Sequence, residues 1–499
     1  MFERVLIANR GEIAVRIVRA LREMNIRSVA VFSDADRGAL HVRLADEAEH
    51  IGPAASSESY LRQDRILETA KKHHADAIHP GYGFLSENAE FAAACAKGGI
   101  VFIGPSAESI RRLGSKTAAR VLAKQVGAPV VPGSEEAATE IAHARAIASE
   151  IGYPVLLKAA AGGGGKGMRR VNAEDELESA IRDASSEAER AFHNGEVYIE
   201  KFIERPRHIE IQIAGDHYGN LVHLGERECS LQRRHQKIME ECPSPWVARH
   251  PELRDKMGQA ALKIARAANY DNLGTVEFLA DDRGNFYFLE VNTRLQVEHP
   301  VTELVTGYDL VHLQLRIAAG EALPIRQADV AWRGWAIECR VGAEDPEANF
   351  FPSPGTITQL REPSGPGVRL DSGVYPGWTV PLEYDPLLAK LVTWAPDRAA
   401  AIHRMSRALA EYAITGVKTT VTLFQEILED AEFRAGNIST GFVPDFLADR
   451  KPPSEPDPQL DLAVALATAA FSENGKREQP AKDAPESRWL TEGRSRLLR

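Results

Sequence analysis

The sequence predicts a chain of α/β and α+β domains led by a parallel, doubly wound sheet. Three observations predict it. Apolar runs alternate with helix-period segments over residues 1–110. The 499-residue length fits about three domains at roughly 150 residues each. After Trp332 the pattern changes to short strands punctuated by Gly and Pro.

The elements follow in chain order. Val5–Ala8 is a short apolar run stopped by Asn9-Arg10-Gly11. Ile13, Ile17, Ala20, Leu21 and Met24 then fall on one helix face. Ser28–Phe32 and Ala75–Ile78 read as further strands. Strand, helix and strand joined by short loops make a parallel sheet. Asn9-Arg10-Gly11-Glu12 is not a G-x-G-x-x-G turn, so a dinucleotide site has no support. Tyr153–Ala161 reads as a strand entering a glycine run, and Ala173–Phe192 as a helix. Val197–Ala214 is strand-rich, Gly274–Asn292 a hairpin, and Ala399–Ala413 a helix. Beyond Lys451 the chain is rich in Pro and charge, with one alanine-rich helix over Leu460–Phe471; this tail is expected to be partly disordered. No internal repeat is present.

Composition excludes several classes. Hydrophobic residues at 44% and charged residues at 26% are globular values. Sixty Lys+Arg against 71 Asp+Glu give a net charge of −11. Such a chain is a poor general binder of nucleic acid or anionic membrane. The four cysteines form no C-x-x-C pair, which speaks against a zinc ribbon or thioredoxin-type motif, and so few in so long a chain fit a reducing, cytoplasmic setting. The N-terminus lacks the apolar stretch of a secretory signal, and no apolar run approaches the roughly 18 residues of a membrane span.

Five stretches carry chemistry. Gly162-Gly163-Gly164-Gly165-Lys166-Gly167 follows a strand bearing Lys158. Bare glycine backbone can approach a polyphosphate, and Lys116, Lys158 and Lys166 would add charge; a plain flexible turn is the alternative. Second, Val276–Leu279 and Phe286–Val291 flank the turn Asp281-Asp282-Arg283-Gly284-Asn285. Centring the hairpin on Arg283-Gly284 puts Glu277 opposite Glu290, with Asn292 on the same face. Facing carboxylates repel unless a cation lies between them, and two Glu with one Asn suit a nucleotide-bound Mg²⁺. A register slip of one residue would undo this. Third, Glu290–Pro300 alternates polar with apolar residues, which lines Arg294, Gln296 and Glu298 up with the metal ligands. Arg grips planar oxyanions through paired N–H groups, and Glu298 could act as a base. Fourth is the basic cluster Gln232–Lys237, which could equally be a solvated face. Fifth is His79–Asn88, a loop at a strand's end, where α/β folds place ligands.

Together these stretches resemble biotin carboxylase, the ATP-grasp component of biotin-dependent acyl-CoA carboxylases such as acetyl-CoA carboxylase. Ile7–Ala14, His79–Asn88, Lys158–Met168, Glu200–Gln212, Gln232–Lys237, Glu290–Thr302 and Ala343-Glu344-Asp345-Pro346 carry the likeness. It implies an N-terminal Rossmann-like (pre-ATP-grasp) domain over residues 1–114. An ATP-grasp domain would follow over 115–331, with a mobile lid near 131–203, then a C-terminal biotin carboxylase domain over 332–447 and the tail 448–499. It further implies that Lys116, Lys158, Gly164, Gly165, Glu200, Lys201, Ile203, His208, Gln232 and His235 hold ATP. Glu277, Glu290 and Asn292 would hold Mg²⁺ (or Mn²⁺). Lys237, Arg294, Gln296 and the Val297 backbone would bind bicarbonate, Glu298 would deprotonate it, and Arg340 would stabilise the biotin enolate. Tyr82 and Asp385 would lie near biotin.

The implied activity is ATP-dependent carboxylation of biotin through carboxyphosphate, with acetyl-CoA the expected final acceptor. None of the six Met precedes a Lys, so the carrier's Met-Lys-Met hairpin is missing and biotin is not attached to this chain. A separate biotin carboxyl carrier protein and carboxyltransferase are implied, as is a homodimer with Arg19 and Glu23 at its interface. Trp335 stands where the family commonly has His, and Ser487–Trp489 with Gly493-Arg494 faintly resembles a longer α-chain's linker domain. Two other readings compete. A different ATP-grasp carboxylate ligase would not need Arg340 or the Tyr82 loop. A non-catalytic ATP-binding scaffold would not keep every ligand.

Overall fold

A computed structural model describes residues 1–134, 141–159, 168–192, 196–450 and 463–470. The chain divides into Met1–Pro444 and Asp445–Arg499. In the second unit, residues 463–470 form a helix with Val464 and Leu466 exposed, inside the predicted Leu460–Phe471. The rest of the tail beyond 450 lies outside the described residues.

The first strands are β1 (Arg4–Ile7), β2 (Arg27–Ser33), β3 (Glu47–Gly52), β4 (Ala77–His79) and β5 (Val101–Phe102). They form one parallel sheet in the order β3-β2-β1-β4-β5. Leu6 and Ile7 point to opposite faces, and both are fully buried. The first helix, α1 (Gly11–Glu23), covers one face with Ile13, Ile17 and Leu21, as its period predicts. Its first turn carries the buried Glu12.

Strands β6 (Val155–Ala159), β7 (Met168–Val171) and β8 (Val197–Lys201) form a small antiparallel sheet, order β7-β6-β8, beneath the helix Glu174–Phe192. The glycine run 162–167 lies outside the described residues.

Next come β9 (Arg207–Gly215), β10 (Leu221–Arg233), β11 (Gln236–Cys242), β12 (Asn272–Ala280), β13 (Phe286–Asn292) and β14 (Trp335–Gly342). With Leu387–Ala395 and Val368–Ser372 they make an eight-stranded sheet, in the order β13-β12-β9-β10-β11-β14 and then those two. The C-terminal strands thus extend the central sheet, through β11 paired with β14. Ile209, Ile211 and Ile213 of β9 pack with Val276 and Phe278 of β12 on one face. The alternate residues His208, Glu210, Gln212 and Glu277 take the other face, and all are buried. Among the described residues no helix is long and apolar enough to cross a membrane.

Candidate active site

The hairpin β12–β13 pairs Glu277 with Glu290 and Thr275 with Asn292, the predicted register. The route to it differs from the expected one. Near the turn the pairs are Ala280 with Phe286 and Phe278 with Phe288, which centres the turn on Arg283 alone. A bulge between Glu277 and Phe278 then shifts the ladder and brings the two glutamates opposite each other. Asn292 Nδ2 donates to Glu277 Oε1 at 2.8 Å. Glu290 is less buried, and Lys116 Nζ reaches its Oε2 at 2.7 Å. Glu277, Glu290 and Asn292 offer side-chain oxygens of the hard type that Mg²⁺ prefers, so the donor set fits that ion.

Lys237 occupies the centre of the face. Its Nζ lies 2.6 Å from Glu210, 3.0 Å from Glu277 and 2.7 Å from Glu298. It reaches there because Gln232 and Lys237 are cross-strand partners beside a two-residue turn. That turn is Arg234-His235, both at positive φ (50° and 67°), a conformation costly for side chains other than Gly or Asn. The basic cluster is therefore a strained hairpin tip, with His235 exposed and Gln232 buried. Gln232 Nε2 donates to His208 Nδ1 at 2.8 Å, and His208 Nε2 lies 3.0 Å from Glu277.

After Asn292 the strand ends, so the expected alternation does not continue as a strand. A loop over 293–298 achieves the same convergence. Arg294 donates to Gln296 Oε1 at 3.2 Å and to Asn292 Oδ1 at 3.3 Å, and Gln296 donates to Glu277 at 3.4 Å. Arg294 Nε also binds Glu87 at 2.9 Å, and Thr293 N donates to the other Glu87 oxygen at 2.9 Å. Glu87 thereby ties the 79–88 loop to this segment. Glu298, fully buried, lies 2.9 Å from Arg340 Nη2, whose Nε donates to Glu240 at 2.6 Å. Tyr82 donates its hydroxyl to Glu12.

The charges divide the face. Burial pushes the Glu298 carboxyl up, but Lys237, Arg340 and Arg227 outweigh it and hold it well below the ordinary carboxylate range. Glu277 is held low against burial by Lys237 and His208. Burial would lower the Lys237 ammonium, yet Glu210, Glu277 and Glu298 keep it well above its usual value. Burial dominates at Glu240, pushed up to about 7 despite Arg340, and at Glu338, pushed well above the usual value despite Lys390. Glu240 and Glu338 are cross-strand partners, so burial and the closeness of two carboxyls both favour the protonated form at Glu338. Glu298 is then an ionised acceptor flanked by two cations.

Other predicted residues lie apart. Glu200 on β8 accepts from Lys158 within the small sheet and, at 2.7 Å, from Arg120 of the helix Lys116–Gln125. Lys201 Nζ donates to the carbonyls of Gly152 and Tyr153 at 2.7 and 3.1 Å, so its ammonium serves that sheet. Ile203 is half-buried between β8 and β9. Asp385 is exposed and caps Leu387 N at 2.9 Å. Gly164 and Gly165 lie outside the described residues. Trp335 donates its indole N–H to the buried Glu241 at 2.8 Å. Arg19 is exposed, and Glu23 lies 3.1 Å from His312 Nε2.

Sequence reasoning missed Glu87, Glu210, Arg227, Glu240, Glu338 and Lys390. Arg227 is fully buried and binds Glu210, Gln212 (2.7 Å) and Thr302 (3.0 Å). A signal existed in His208-Ile209-Glu210-Ile211-Gln212-Ile213, whose period-2 alternation marks a polar face on a buried strand.

Three family models match the chain. They are the biotin carboxylase N-terminal domain over 1–110, the ATP-binding domain of the carbamoyl-phosphate synthase L chain over 115–326, and the biotin carboxylase C-terminal domain over 338–445. A biotin carboxylase of Nostoc sp. is 56% identical over 442 residues, 89% of this chain and 98% of that protein. A pyruvate carboxylase subunit from Methanothermobacter thermautotrophicus is 54% identical, over 89% of this chain and 90% of that protein. Among solved structures, the biotin carboxylase domain dimer of Hydrogenobacter thermophilus 2-oxoglutarate carboxylase, with MgADP, ADP and bicarbonate, superposes with a TM-score of 0.83 at 47% identity. It covers 91% of this chain and all of that one.

Proposed function

The chain belongs to the biotin carboxylase family of ATP-grasp ligases, and from that premise we propose that it uses ATP and bicarbonate to carboxylate biotin presented by a separate carrier protein. One observation carries the reading. Lys237, Glu277, Arg294, Glu298 and Arg340 converge on one face, where anion-binding donors stand beside the ionised Glu298.

In this reading Arg294, Gln296, Lys237 and the Val297 N–H hold bicarbonate. Glu298 takes its proton, and the freed oxygen attacks the terminal phosphorus of ATP, giving ADP and carboxyphosphate. Lys237 now clamps three carboxylates; turning toward the new anion would relieve Glu298 of a cation and make it a stronger base. Mg²⁺ (or Mn²⁺), when bound, would offset phosphate charge, with Glu277, Glu290 and Asn292 as its ligands. Lys116, Lys158, Gly164, Gly165, Glu200, Lys201, Ile203, His208, Gln232 and His235 would line the nucleotide site, Lys201 through its backbone, since its ammonium is engaged. Carboxyphosphate splits to CO₂ and phosphate. Phosphate accepts the biotin N1 proton, and N1 attacks CO₂ while Arg340 holds the ureido oxygen. Tyr82 and the exposed Asp385 would lie near biotin.

The same proposal divides the chain at 1–114, 115–331 with a lid near 131–203, and 332–447; family models matching 1–110, 115–326 and 338–445 support the three-part division. A homodimer and a cytoplasmic location belong to the same proposal. So does acetyl-CoA as final acceptor with fatty acid synthesis as outlet. Relatives named for pyruvate and methylcrotonoyl-CoA carboxylases are comparably similar, at 54% and 49% identity, so the acceptor requires assay with the partner carboxyltransferase.

The test is bicarbonate-dependent ATP hydrolysis with Mg²⁺, with and without free biotin. Phosphate release should rise with biotin and fall by roughly 10²–10⁴-fold in Glu298→Ala, and comparably in Arg294→Ala. Turnover indifferent to biotin would instead indicate another ATP-grasp ligase.

A further inference from the structure

The chemistry above does not use a buried lysine directly behind it. Lys390, on Leu387–Ala395, is fully buried and is the cross-strand partner of Arg340. Its Nζ donates to the Val297 carbonyl at 2.9 Å. It also lies 3.3 Å from Glu12 Oε2 and 3.9 Å from Asp371 Oδ2. The ring of Tyr82 is centred 5.9 Å away. The other Glu12 oxygen accepts the Tyr82 hydroxyl. One cation therefore joins α1 and the 79–88 loop of the N-terminal domain, the 293–298 loop, and the C-terminal strands.

A buried ammonium costs several kcal/mol unless it is paired and hydrogen-bonded. Hydrophobic residues could fill this junction at lower cost, so what the lysine adds is geometry. Its donation to the Val297 carbonyl fixes the Val297–Glu298 peptide, directly after Gln296. Its pairing with Glu12 fixes the acceptor that aims Tyr82. Both ends lead to substrate subsites, one for bicarbonate and one for biotin.

We propose that Lys390 and Glu12 form a positioning pair that holds the bicarbonate loop 296–298 and the biotin-side Tyr82 in register across the three-domain junction. The proposal rests on the functional reading given above. Neither residue touches the reacting atoms. The nucleotide side, built from Lys116, Lys158, Glu200 and His208, has no contact with either.

The experiment measures separate KM values for ATP, bicarbonate and free biotin in the full chain, with thermal melting as the check of folding. Lys390→Met should raise KM for both bicarbonate and biotin by roughly tenfold, the scale of a sub-ångström misplacement, and leave KM for ATP unchanged. Glu12→Gln keeps the shape and the Lys390–Val297 bond, so it should raise KM for biotin more than for bicarbonate. The double variant should be no worse than Lys390→Met for biotin, because the two act as one unit. Folded variants with wild-type bicarbonate and biotin KM values, or with all three KM values raised alike, overturn the proposal. If Lys390→Met fails to fold, the biotin KM of Glu12→Gln decides it alone. A wild-type chain without biotin-stimulated turnover sinks the functional reading instead, which separates the two failures.

Discussion

The parallel sheet of the N-terminal domain and the eight-stranded sheet beside it are both buried, but they are buried differently. Around β1 both faces are apolar, with Leu6 in one cluster and Ile7 in another. On β9 every residue is buried, yet alternate positions carry His208, Glu210 and Gln212. The first sheet gains stability from each side chain it buries, at roughly 25 cal/mol per Å² of apolar surface. The second sheet buries charge, which is favourable only when every partner is present. One sheet is a support and the other holds chemistry that the support makes tolerable. The segments that follow β1 and β4 also supply the site with Glu12 and Glu87.

The largest separation between the two comes from a cut in the apolar sheet. Leu6→Ala should cost about 2–5 kcal/mol of stability by removing a fully buried side chain. The KM values for bicarbonate and biotin should stay at wild-type levels in the fraction that remains folded. Denaturant melts paired with steady-state kinetics check this. A change in KM without loss of stability would show that the parallel sheet shapes the site directly.

The sequence made the two sheets unequally legible. The parallel sheet follows from periodicity alone, because strand and helix periods alternate cleanly over 1–110. The Glu277–Glu290 pairing was legible from turn chemistry, although the assumed turn centre was half a residue off and the bulge after Glu277 compensated. Bulges are set by packing across the sheet, which a hairpin sequence does not display. Arg294, Gln296 and Glu298 were expected on a strand and converge from a loop instead. Glu240 and Glu338 were out of reach. They are 98 positions apart in the chain, and only the β11–β14 pairing makes them neighbours. Lys390 was hidden for the same reason: nothing local distinguishes a lysine inside Leu387–Ala395 from one on a solvated strand.

A smaller effect lies in the polar sheet's protons. Burial pushes Glu228 up to about 7, against its hydrogen bonds from Ser230 and Ser244 and the field of Arg207. The folded form therefore holds this proton more tightly than the unfolded chain does. The stability it confers is complete below the ordinary glutamate range and is lost as pH rises toward 7. Glu228→Gln removes that dependence. The melting temperature of the variant, relative to wild type, should climb between pH 5 and pH 8. A constant offset across that range would show that Glu228 stays ionised in the fold. β1 offers no counterpart, since Leu6 and Ile7 titrate nothing; the nearest in that sheet is His79 on β4, whose imidazole burial lowers to about 3, below the range of this test.

The smallest expected effect is at the edge where the polar face meets solvent. Lys116 Nζ lies 2.7 Å from Glu290, much as Lys237 lies 2.7 Å from Glu298, but Lys116 is 75% exposed and Lys237 is 11% exposed. Water and salt screen the first pair and barely reach the second. Lys116→Ala should change stability by less than about 1 kcal/mol, and 1 M salt should erase even that. Removing Lys237 instead would strand Glu210, Glu277 and Glu298 together in the interior, a loss on the scale of about 3–5 kcal/mol. Equal distances with unequal consequences would show that burial, not contact geometry, separates an anchor from an incidental pair. Melting curves of Lys116→Ala at low and high salt decide it. A loss of several kcal/mol that persists in 1 M salt would mean that Glu290 is held as firmly as Glu277, and that the polar face extends to the surface without weakening.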